Sequence, residues 1–192
     1  MDALASALLG HVAVEEPEES GLRWAAVALV LRGVTPDDAE LLFIRRAERE
    51  GDPWSGHIAF PGGRRDDADR SLEATARRET GEELALDLDA SARLLGALDD
   101  IRPRSAALPS IAVRPYVFIL EREVPLVPNV EVQSAFWMSL AALRDPSRAA
   151  EHTSERGGVL MRFPAYRCGD DLVWGLTERI VTQLLAVSAS VR

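Results

Sequence analysis

Three glutamates at helical spacing are the residues of this chain best placed to do chemistry together. Glu79, Glu82 and Glu83 occupy positions i, i+3 and i+4 of a helix-like segment, so one helical face would carry all three carboxylates. Like charges at this spacing repel each other. A hard divalent cation would offset the repulsion, because Mg²⁺ prefers oxygen ligands and commonly combines a few carboxylates with substrate phosphates. The spacing therefore predicts a metal site on this helix.

A glycine loop precedes the acidic segment. Gly62 and Gly63 follow Pro61, and glycine lets the backbone approach a ligand closely because it has no Cβ. Arg78 lies four residues before Glu82 and can pair with it along the helix. A helix with several Glu and Arg residues is usually only a solvated face with i,i+4 ion pairs. The glycine loop beside the acids favours the functional interpretation.

The stretch 60–86 resembles the Nudix box, the signature of hydrolases that cleave a diphosphate linked to another moiety. The residues that match the family pattern at its internal spacing are Arg78, Glu79, Glu82, Glu83 and Leu86. Four positions depart from it: Gly63 lies one residue further upstream, Asp69 stands nearest to an absent glutamate, Thr80 replaces an apolar residue, and Ala85 replaces a glycine.

The resemblance implies a fold of the α/β class, the Nudix-type α/β/α sandwich with a mixed β-sheet between helices. It also implies metal-assisted hydrolysis with Mg²⁺ or Mn²⁺ as cofactor. The implied metal ligands are the carbonyl of Gly63 and the carboxylates of Glu79, Glu82 and Glu83, with Glu82 binding directly or through water. Arg78 would orient Glu82 without touching the substrate.

The residue that would act as the base is left open. One of the box glutamates is a candidate, and Glu131 is another. In Nudix enzymes an acid upstream of a Trp-x-x-Leu element often lies near the site, and Trp137 and Leu140 form that element here. His57 has an ordinary pKa near neutrality and would serve as a base or line the substrate site.

Features outside the box are similar to the coenzyme A pyrophosphatase branch of the family. The first is a Leu-Leu-x-x-Arg element at Leu41, Leu42 and Arg45. The second is a spaced Gly-x-x-x-Phe-Pro-Gly-Gly at Gly56 and 60–63, and the third is a Trp-Gly pair before the last helix, at Trp174 and Gly175. The connection between Arg45 and Gly56 is longer than in that branch. The resemblance implies cleavage of coenzyme A or its derivatives to 4′-phosphopantetheine and 3′,5′-ADP. The alternatives are hydrolysis of ADP-ribose, nucleotide sugars or nucleoside triphosphates, and a binding module without catalysis.

The charge balance limits the partners of the protein. The chain has 192 residues and a net charge of −9, so no general nucleic-acid surface is expected. All 22 basic residues are arginine, and a nucleotide-diphosphate substrate must therefore be met by arginine, backbone or metal. The candidate substrate-binding groups are the Gly62 backbone and the side chains of Arg45, Arg49, Arg102 and Arg104.

Composition also indicates the organisation and location of the chain. An N-terminal helix and acidic link are expected over 1–21, and a single Nudix hydrolase domain over 22–192. The single cysteine, Cys168, is typical of a reducing cytoplasm. No signal peptide and no membrane span are expected. The oligomeric state is left open.

Hydrophobic periodicity and turn residues predict the remaining elements. Strands are expected at 24–31, 40–46, 93–98, 111–120, 130–140, 160–167 and 172–173, and helices at 1–10, from 71 to 87–90, and at 177–189. Pro115 predicts an edge or a bulge in its strand. The segment 99–110 is expected to be a functional loop, and 145–158 a mobile polar segment.

Overall fold

A computed structural model describes residues 2–17, 19–33, 35, 38–52, 54–103, 110–156 and 159–189. Its central sheet has seven strands: β1 (Arg23–Arg32), β2 (Glu40–Arg46), β3 (Ile58–Ala59), β4 (Gly62–Arg64), β5 (Ala92–Ala97), β6 (Ile111–Leu120) and β7 (Val132–Ser139). The order is β3-β2-β1-β6-β5, with β4 also paired to β1 and β7 to β2. The β1–β6 pair is parallel and the others are antiparallel, so the expected mixed sheet is confirmed.

Helices cover both faces of this sheet. They are α1 (Asp2–Gly10), α2 (Leu72–Leu84), α3 (Leu88–Ser91), α4 (Leu140–Arg144) and α5 (Leu176–Ala189), with a short 3₁₀ helix at Pro146–Arg148. Apolar residues of α1, α4 and α5 belong to one core cluster, and those of α2 and α3 belong to a second cluster. The helix–sheet–helix arrangement expected for the family is therefore present.

The apolar run of β1 explains why the sheet is covered twice. Side chains on a strand alternate between its faces. Leu29 and Leu31 enter the cluster with α1 and α5, whereas Ala28 and Val30 enter the cluster with α2. All four are fully buried. A continuous apolar strand is the pattern of a strand that is buried on both sides.

A second sheet of three strands was predicted only in part. Its strands are β8 (Ala149–Arg156), β9 (Val159–Cys168) and β10 (Asp171–Trp174), paired in the order β10-β9-β8. The β9–β10 hairpin was predicted. The prediction of a mobile polar segment at 145–158 is wrong for residues 149–156, which form a strand along β9. Its polar sequence hides it, because β8 is an edge strand with many exposed side chains.

The helix that carries the acidic residues begins as predicted and ends earlier. The Ser71 side chain caps α2 by accepting a hydrogen bond from the Ala74 amide at 3.1 Å. The helix ends at Leu84, because Ala85 takes the left-handed conformation with φ of 53° and donates to the Gly81 carbonyl. The prediction that the helix reaches 87–90 is wrong, since Asp87 instead caps α3.

The expectation for Pro115 is also wrong. Strand β6 is central, between β1 and β5, and Pro115 is paired with Val27 of β1. The register shift lies on the neighbouring β5, between Leu94 and Gly96. The Pro115 carbonyl accepts a hydrogen bond from the Leu98 amide at 2.9 Å, but the regular β5–β6 register ends at Ala97 and Tyr116, so the N–H that proline lacks is not needed for a regular ladder pair.

The N-terminal acidic link is attached to the loop after β5. The Val14 amide donates to Asp99 Oδ1 at 3.0 Å, and the Glu16 amide donates to Asp100 Oδ2 at 2.8 Å. Two acids of the link also form ion pairs: Glu16 with Arg102 and Glu15 with Arg114, each at 3.0 Å. The division into 1–21 and 22–192 stays a prediction. In the described ranges, no helix is long and apolar enough to cross a membrane.

Candidate active site

The glycine loop is built by close contact between two strands. Gly62 of β4 is paired with Val27 of β1 and has φ of +148°, a conformation that side chains disfavour. A Cβ on Gly62 would lie 2.3 Å from the Ala26 carbonyl oxygen, which the fold cannot relieve without separating the strands. Glycine is therefore required at this position, and the Gly62 amide points toward α2.

Gly63 is required for a different reason. Its φ is not positive, but a Cβ there would lie 2.5 Å from Cδ of Glu79 and 2.6 Å from both of its carboxylate oxygens. The Glu79 carboxylate thus rests directly on the backbone of the loop. The sequence prediction that the glycine loop and the acidic helix meet agrees with this geometry.

Glu83 is the most buried of the three glutamates, with 2% of its surface exposed. Its Oε2 accepts a hydrogen bond from the Gly62 amide at 2.9 Å. Burial, opposed by the Gly62 hydrogen bond and supported by the charge of Glu79, raises the pKa of Glu83 to about 7. No described arginine forms an ion pair with it. A divalent cation fits here, because it would supply the missing positive partner.

Arg78 links the helix to the loop before it. It binds Asp69 in a two-pronged manner, with Nε at 3.0 Å from Oδ1 and Nη2 at 2.9 Å from Oδ2. Nη2 also donates to the carbonyl of Arg64 at 3.2 Å. These hydrogen bonds hold the pKa of the buried Asp69 carboxyl well below its usual range. Asp69 thus fills the place of the absent family glutamate.

The same guanidinium also contacts two helix acids. Nη1 of Arg78 lies 3.0 Å from Glu79 Oε1 and 3.2 Å from Glu82 Oε2. The Glu82 side chain is 56% exposed, whereas that of Glu79 is 16% exposed and Glu83 is buried. Within the described chain, no three acidic, histidine or cysteine side chains stand close enough together to hold a metal ion. The pair Glu79 and Glu83 is therefore the nearest approach to the predicted ligand set.

Glu131 lies beside this pair. The chain before it is tied to the end of α2, since the Asn129 amide donates to the Glu83 carbonyl at 2.9 Å. The charge of Glu131 raises the pKa of both Glu79 and Glu83, after the larger effect of burial. Its Oε1 is 3.0 Å from Nη2 of Arg49. The structure thus brings Glu131 and Arg49 to the acidic site.

Arg46 is a site residue that the sequence argument missed. Its Nη2 is 2.8 Å from Asp52 Oδ2, and its charge lowers the pKa of the buried Glu83. Its Nε is buried without a partner among the described residues. The available signal was its place directly after Arg45 at the end of β2, but only folding shows which of two neighbouring arginines faces the acids.

Comparison with a protein-family model identifies the group to which this arrangement belongs. The model of the NUDIX domain matches residues 12–162. This chain belongs to the Nudix family. The Nudix box of this family of pyrophosphohydrolases is the stretch that led to this assignment. It has Glu79, Glu83 and Arg78 on one helix and the glycines of β4 beneath that helix.

Individual Nudix relatives agree with this membership. An uncharacterized protein of Schizosaccharomyces pombe is 40% identical over 55% of this chain, and the match spans only 33% of that longer protein. The mitochondrial coenzyme A diphosphatase of Mus musculus is 33% identical over 83% of this chain and 75% of its own. A crystal structure of a MutT/nudix family protein from Enterococcus faecalis has a TM-score of 0.56 at 20% identity, covering 88% of this chain and 62% of that one, which shows a shared fold.

The other predicted substrate arginines lie elsewhere or are already paired. Arg45 forms an ion pair with Asp171 of β10. Arg102 lies 3.0 Å from Glu16 and 3.1 Å from Glu19 of the N-terminal link. Arg104 lies outside the described residues. Of the four arginines, Arg49 is therefore the one that the structure places beside the Nudix acids.

His57 packs in an aromatic cluster. Its ring centroid is 4.7 Å from that of Trp174, and His152 stacks on the same indole at 3.7 Å. Burial, with the nearby His152 adding to it, lowers the pKa of His57, so the imidazole is neutral at physiological pH. The arrangement agrees with a role in lining the site.

Proposed function

We propose that this Nudix protein hydrolyses the diphosphate bond of coenzyme A or its derivatives, with Mg²⁺ or Mn²⁺ as cofactor and 4′-phosphopantetheine and 3′,5′-ADP as products. The observation that carries the diphosphate chemistry is the pair Glu79 and Glu83 over the glycine loop: Glu79 contacts Arg78, but the buried Glu83 has no ion-pair partner among the described residues. The similarity to the mouse coenzyme A diphosphatase supports the choice of substrate.

The groups that would hold the metal are the carboxylates of Glu79 and Glu83 and the carbonyl of Gly63, with Glu82 joining directly or through water. A bound divalent metal neutralises diphosphate charge and lowers the pKa of water. Arg78 keeps Glu79 in place and ties the helix to the loop through Asp69. Its role is to position the acids, as groups that hold metal ligands commonly do.

The remaining chemistry falls to groups that surround the acidic pair. Glu131 and the box glutamates are the candidates for accepting a proton from the attacking water. Arg49 and Arg46 place positive charge at the same face, where they would bind the diphosphate. Their present partners, Glu131 and Asp52, hold the two guanidinium groups beside the site.

A substrate panel tests the proposal. Coenzyme A, ADP-ribose, nucleotide sugars and nucleoside triphosphates are incubated with the protein and Mg²⁺ or Mn²⁺, and the products are identified by mass. The expected result is the highest kcat/KM for coenzyme A, with 3′,5′-ADP as one product. Faster cleavage of ADP-ribose or a nucleotide sugar would overturn the substrate choice and leave hydrolysis standing. Binding without turnover of any substrate would indicate a non-catalytic module.

The cytoplasmic location stays a prediction. The mouse relative is named as mitochondrial, so the similarity to it does not support a cytoplasmic location. Localisation of the full-length protein in its own cells is the direct measurement.

A further inference from the structure

Three arginines that the proposed chemistry does not use converge on one cleft. Arg23, Arg64 and Arg65 line it together with Trp24 and Asp67, and its volume is about 320 Å³. That is roughly the space of ten water molecules in the liquid, which is ample for a phosphate group. The cleft therefore has both the room and the residue types for an anionic ligand.

The pairing of two strands brings these arginines together. Arg64 of β4 lies opposite Ala25 of β1, and the Arg65 amide donates to the Trp24 carbonyl at 2.9 Å. Arg23 is the first residue of β1, so it lies at the same end of the strand pair. The lining is thus held by backbone hydrogen bonds, although the three side chains themselves are exposed.

These arginines differ from the others near the site in their partners. Arg45, Arg46, Arg49 and Arg102 each have a carboxylate at ion-pair distance. Among the described residues, Arg23, Arg64 and Arg65 have none; the closest polar contact is from Arg65 Nη2 to the Asp69 carbonyl, at 3.4 Å. In a chain with a net charge of −9, this leaves a locally positive surface.

The charge of the cleft suits a dianion. Its lining carries three guanidinium groups and one carboxylate, that of Asp67, which gives a formal charge of +2. The planar fork of arginine matches the oxygens of a phosphate group and can donate two hydrogen bonds to it at once. A phosphomonoester carries close to two negative charges at neutral pH.

The cleft adjoins the Nudix site along β4. Arg65 is two residues after Gly63 and therefore shares its face of the strand, and the Gly63 backbone lies under the Glu79 carboxylate. The Arg64 carbonyl also accepts a hydrogen bond from Arg78. One ligand with two phosphate-bearing parts could therefore reach the acidic pair with its diphosphate and the cleft with another phosphate.

We propose that Arg23, Arg64 and Arg65 form a phosphomonoester site that holds the distal phosphate of the diphosphate substrate. In coenzyme A this group is the 3′-phosphate. The identity of the substrate rests on the proposed function, whereas the anion site rests on the geometry of the cleft. The site would make the enzyme prefer substrates that carry a phosphate away from the cleaved diphosphate.

Steady-state kinetics on coenzyme A and its 3′-dephospho form test the site during turnover. The native protein should prefer coenzyme A by about tenfold or more in kcat/KM, the effect of a charge-assisted hydrogen bond. Arg23→Gln and Arg65→Gln should each reduce this ratio severalfold, mainly through KM, and the double variant should bring it close to one.

Arg122→Gln is the matched control, because Arg122 is also exposed and without an ion pair among the described residues. Arg122 lies just after the end of β6. Strand β6 runs parallel to β1 and begins with Ile111 opposite Arg23, so Arg122 lies at the end of the sheet away from the cleft. The ratio should be unchanged in this variant. An equal loss of preference in Arg122→Gln would show a general charge effect and overturn the proposal, as would a native ratio of one.

A binding measurement separates the anion site from catalysis. Titration calorimetry compares adenosine 3′,5′-bisphosphate with 5′-AMP, and inorganic phosphate is added as a competitor. The bisphosphate should bind about tenfold more tightly, and Arg65→Gln should remove the difference. If the bisphosphate is preferred while coenzyme A is not cleaved, the anion site stands and the proposed function fails. If coenzyme A is cleaved but the two nucleotides bind equally, the anion site is refuted and the proposed function stands. Equal competition by phosphate against both nucleotides would also refute it.

Discussion

Two arginine–aspartate pairs of the same geometry have different surroundings. Arg78 binds Asp69 and Arg114 binds Asp100, each through Nε and Nη2. Both aspartates are almost fully buried, with 6% and 1% of their side chains exposed. The paired residues are 9 positions apart in the first pair and 14 in the second. The chemistry of the pair itself therefore does not distinguish a functional centre from a structural one.

The difference lies in the balance of charge around each pair. Arg114 meets one further acid, Glu15 of the N-terminal link, at 3.0 Å. Arg78 meets two, Glu79 and Glu82, and the buried Glu83 nearby has no ion-pair partner in the described chain. The Arg114 cluster has one carboxylate more than its single guanidinium, whereas the Nudix box places Asp69, Glu79, Glu82 and Glu83 around Arg78 and so has three more. The larger carboxylate excess of the Nudix box is what calls for a cation.

The largest expected effect comes from removing the uncompensated acid. Glu83→Gln should lower kcat by on the order of 10³-fold, because it removes a charged group from the proposed metal site. Folding should survive, since the amide oxygen can still accept the Gly62 hydrogen bond. The kcat of the variant is measured at saturating Mg²⁺. A kcat within tenfold of the native value would contradict the assignment of Glu83 as a metal ligand.

The same substitution should stabilise the metal-free protein at alkaline pH. The folded-state pKa of Glu83 is raised to about 7 from its ordinary value of 4.5, so the native protein loses stability as pH rises between these values. At pH 8 the penalty is on the order of 3 kcal/mol. Thermal unfolding in the presence of a chelator should therefore show Glu83→Gln more stable than the native protein at pH 8. The two should be nearly equal at pH 5, and the same difference at both pH values would argue against burial of an ionised Glu83.

Conservative replacement of the two arginines sharpens the comparison. Arg78→Lys keeps the charge but loses the planar fork, so activity should fall about 10- to 100-fold, as for other groups that hold metal ligands. Arg114→Lys is the matched control: it should lower the melting temperature and leave kcat near the native value. Equal losses of kcat in the two variants would mean that Arg78 acts through stability alone.

The smallest expected effect is at the end of the box helix. Ala85 occupies a left-handed position where the family pattern has glycine. The strain of Ala there exceeds the entropic cost of glycine, so Ala85→Gly should stabilise the protein by about 0.5–1 kcal/mol. Chemical denaturation measures this gain, with Ala74→Gly, inside α2, as the control that should destabilise. A destabilised Ala85→Gly would show that the left-handed conformation carries little strain.

Local features of this molecule were predictable because they depend on neighbouring residues. The Ser71 cap, the buried strand β1 and the approach of the glycine loop to Glu79 all follow from short-range pattern and sterics. The exposed position of Glu82 was not predictable in this way, because spacing on a helix shows which residues share a face but not how deeply each side chain is buried.

Long-range ion pairs were not predictable from the sequence. Arg45 pairs with Asp171, more than a hundred positions away, and Arg102 pairs with the N-terminal link. Sequence alone marked these arginines as free cations for a phosphate, but tertiary structure decides which charges find partners. Strand β8 was missed for a related reason: its hydrogen-bond partner, β9, defines it more than its own polar sequence.

Metal binding tests the central claim most directly. Titration calorimetry with Mn²⁺ is carried out on the chelator-treated native protein, on Glu83→Gln and on Glu15→Gln, which removes an acid from the Arg114 cluster. The charge excess at Glu79 and Glu83 predicts that Glu83→Gln binds Mn²⁺ at least tenfold more weakly while Glu15→Gln binds like the native protein. Native affinity in Glu83→Gln, or equal weakening in both variants, would contradict the assignment of the metal site to the Nudix acids.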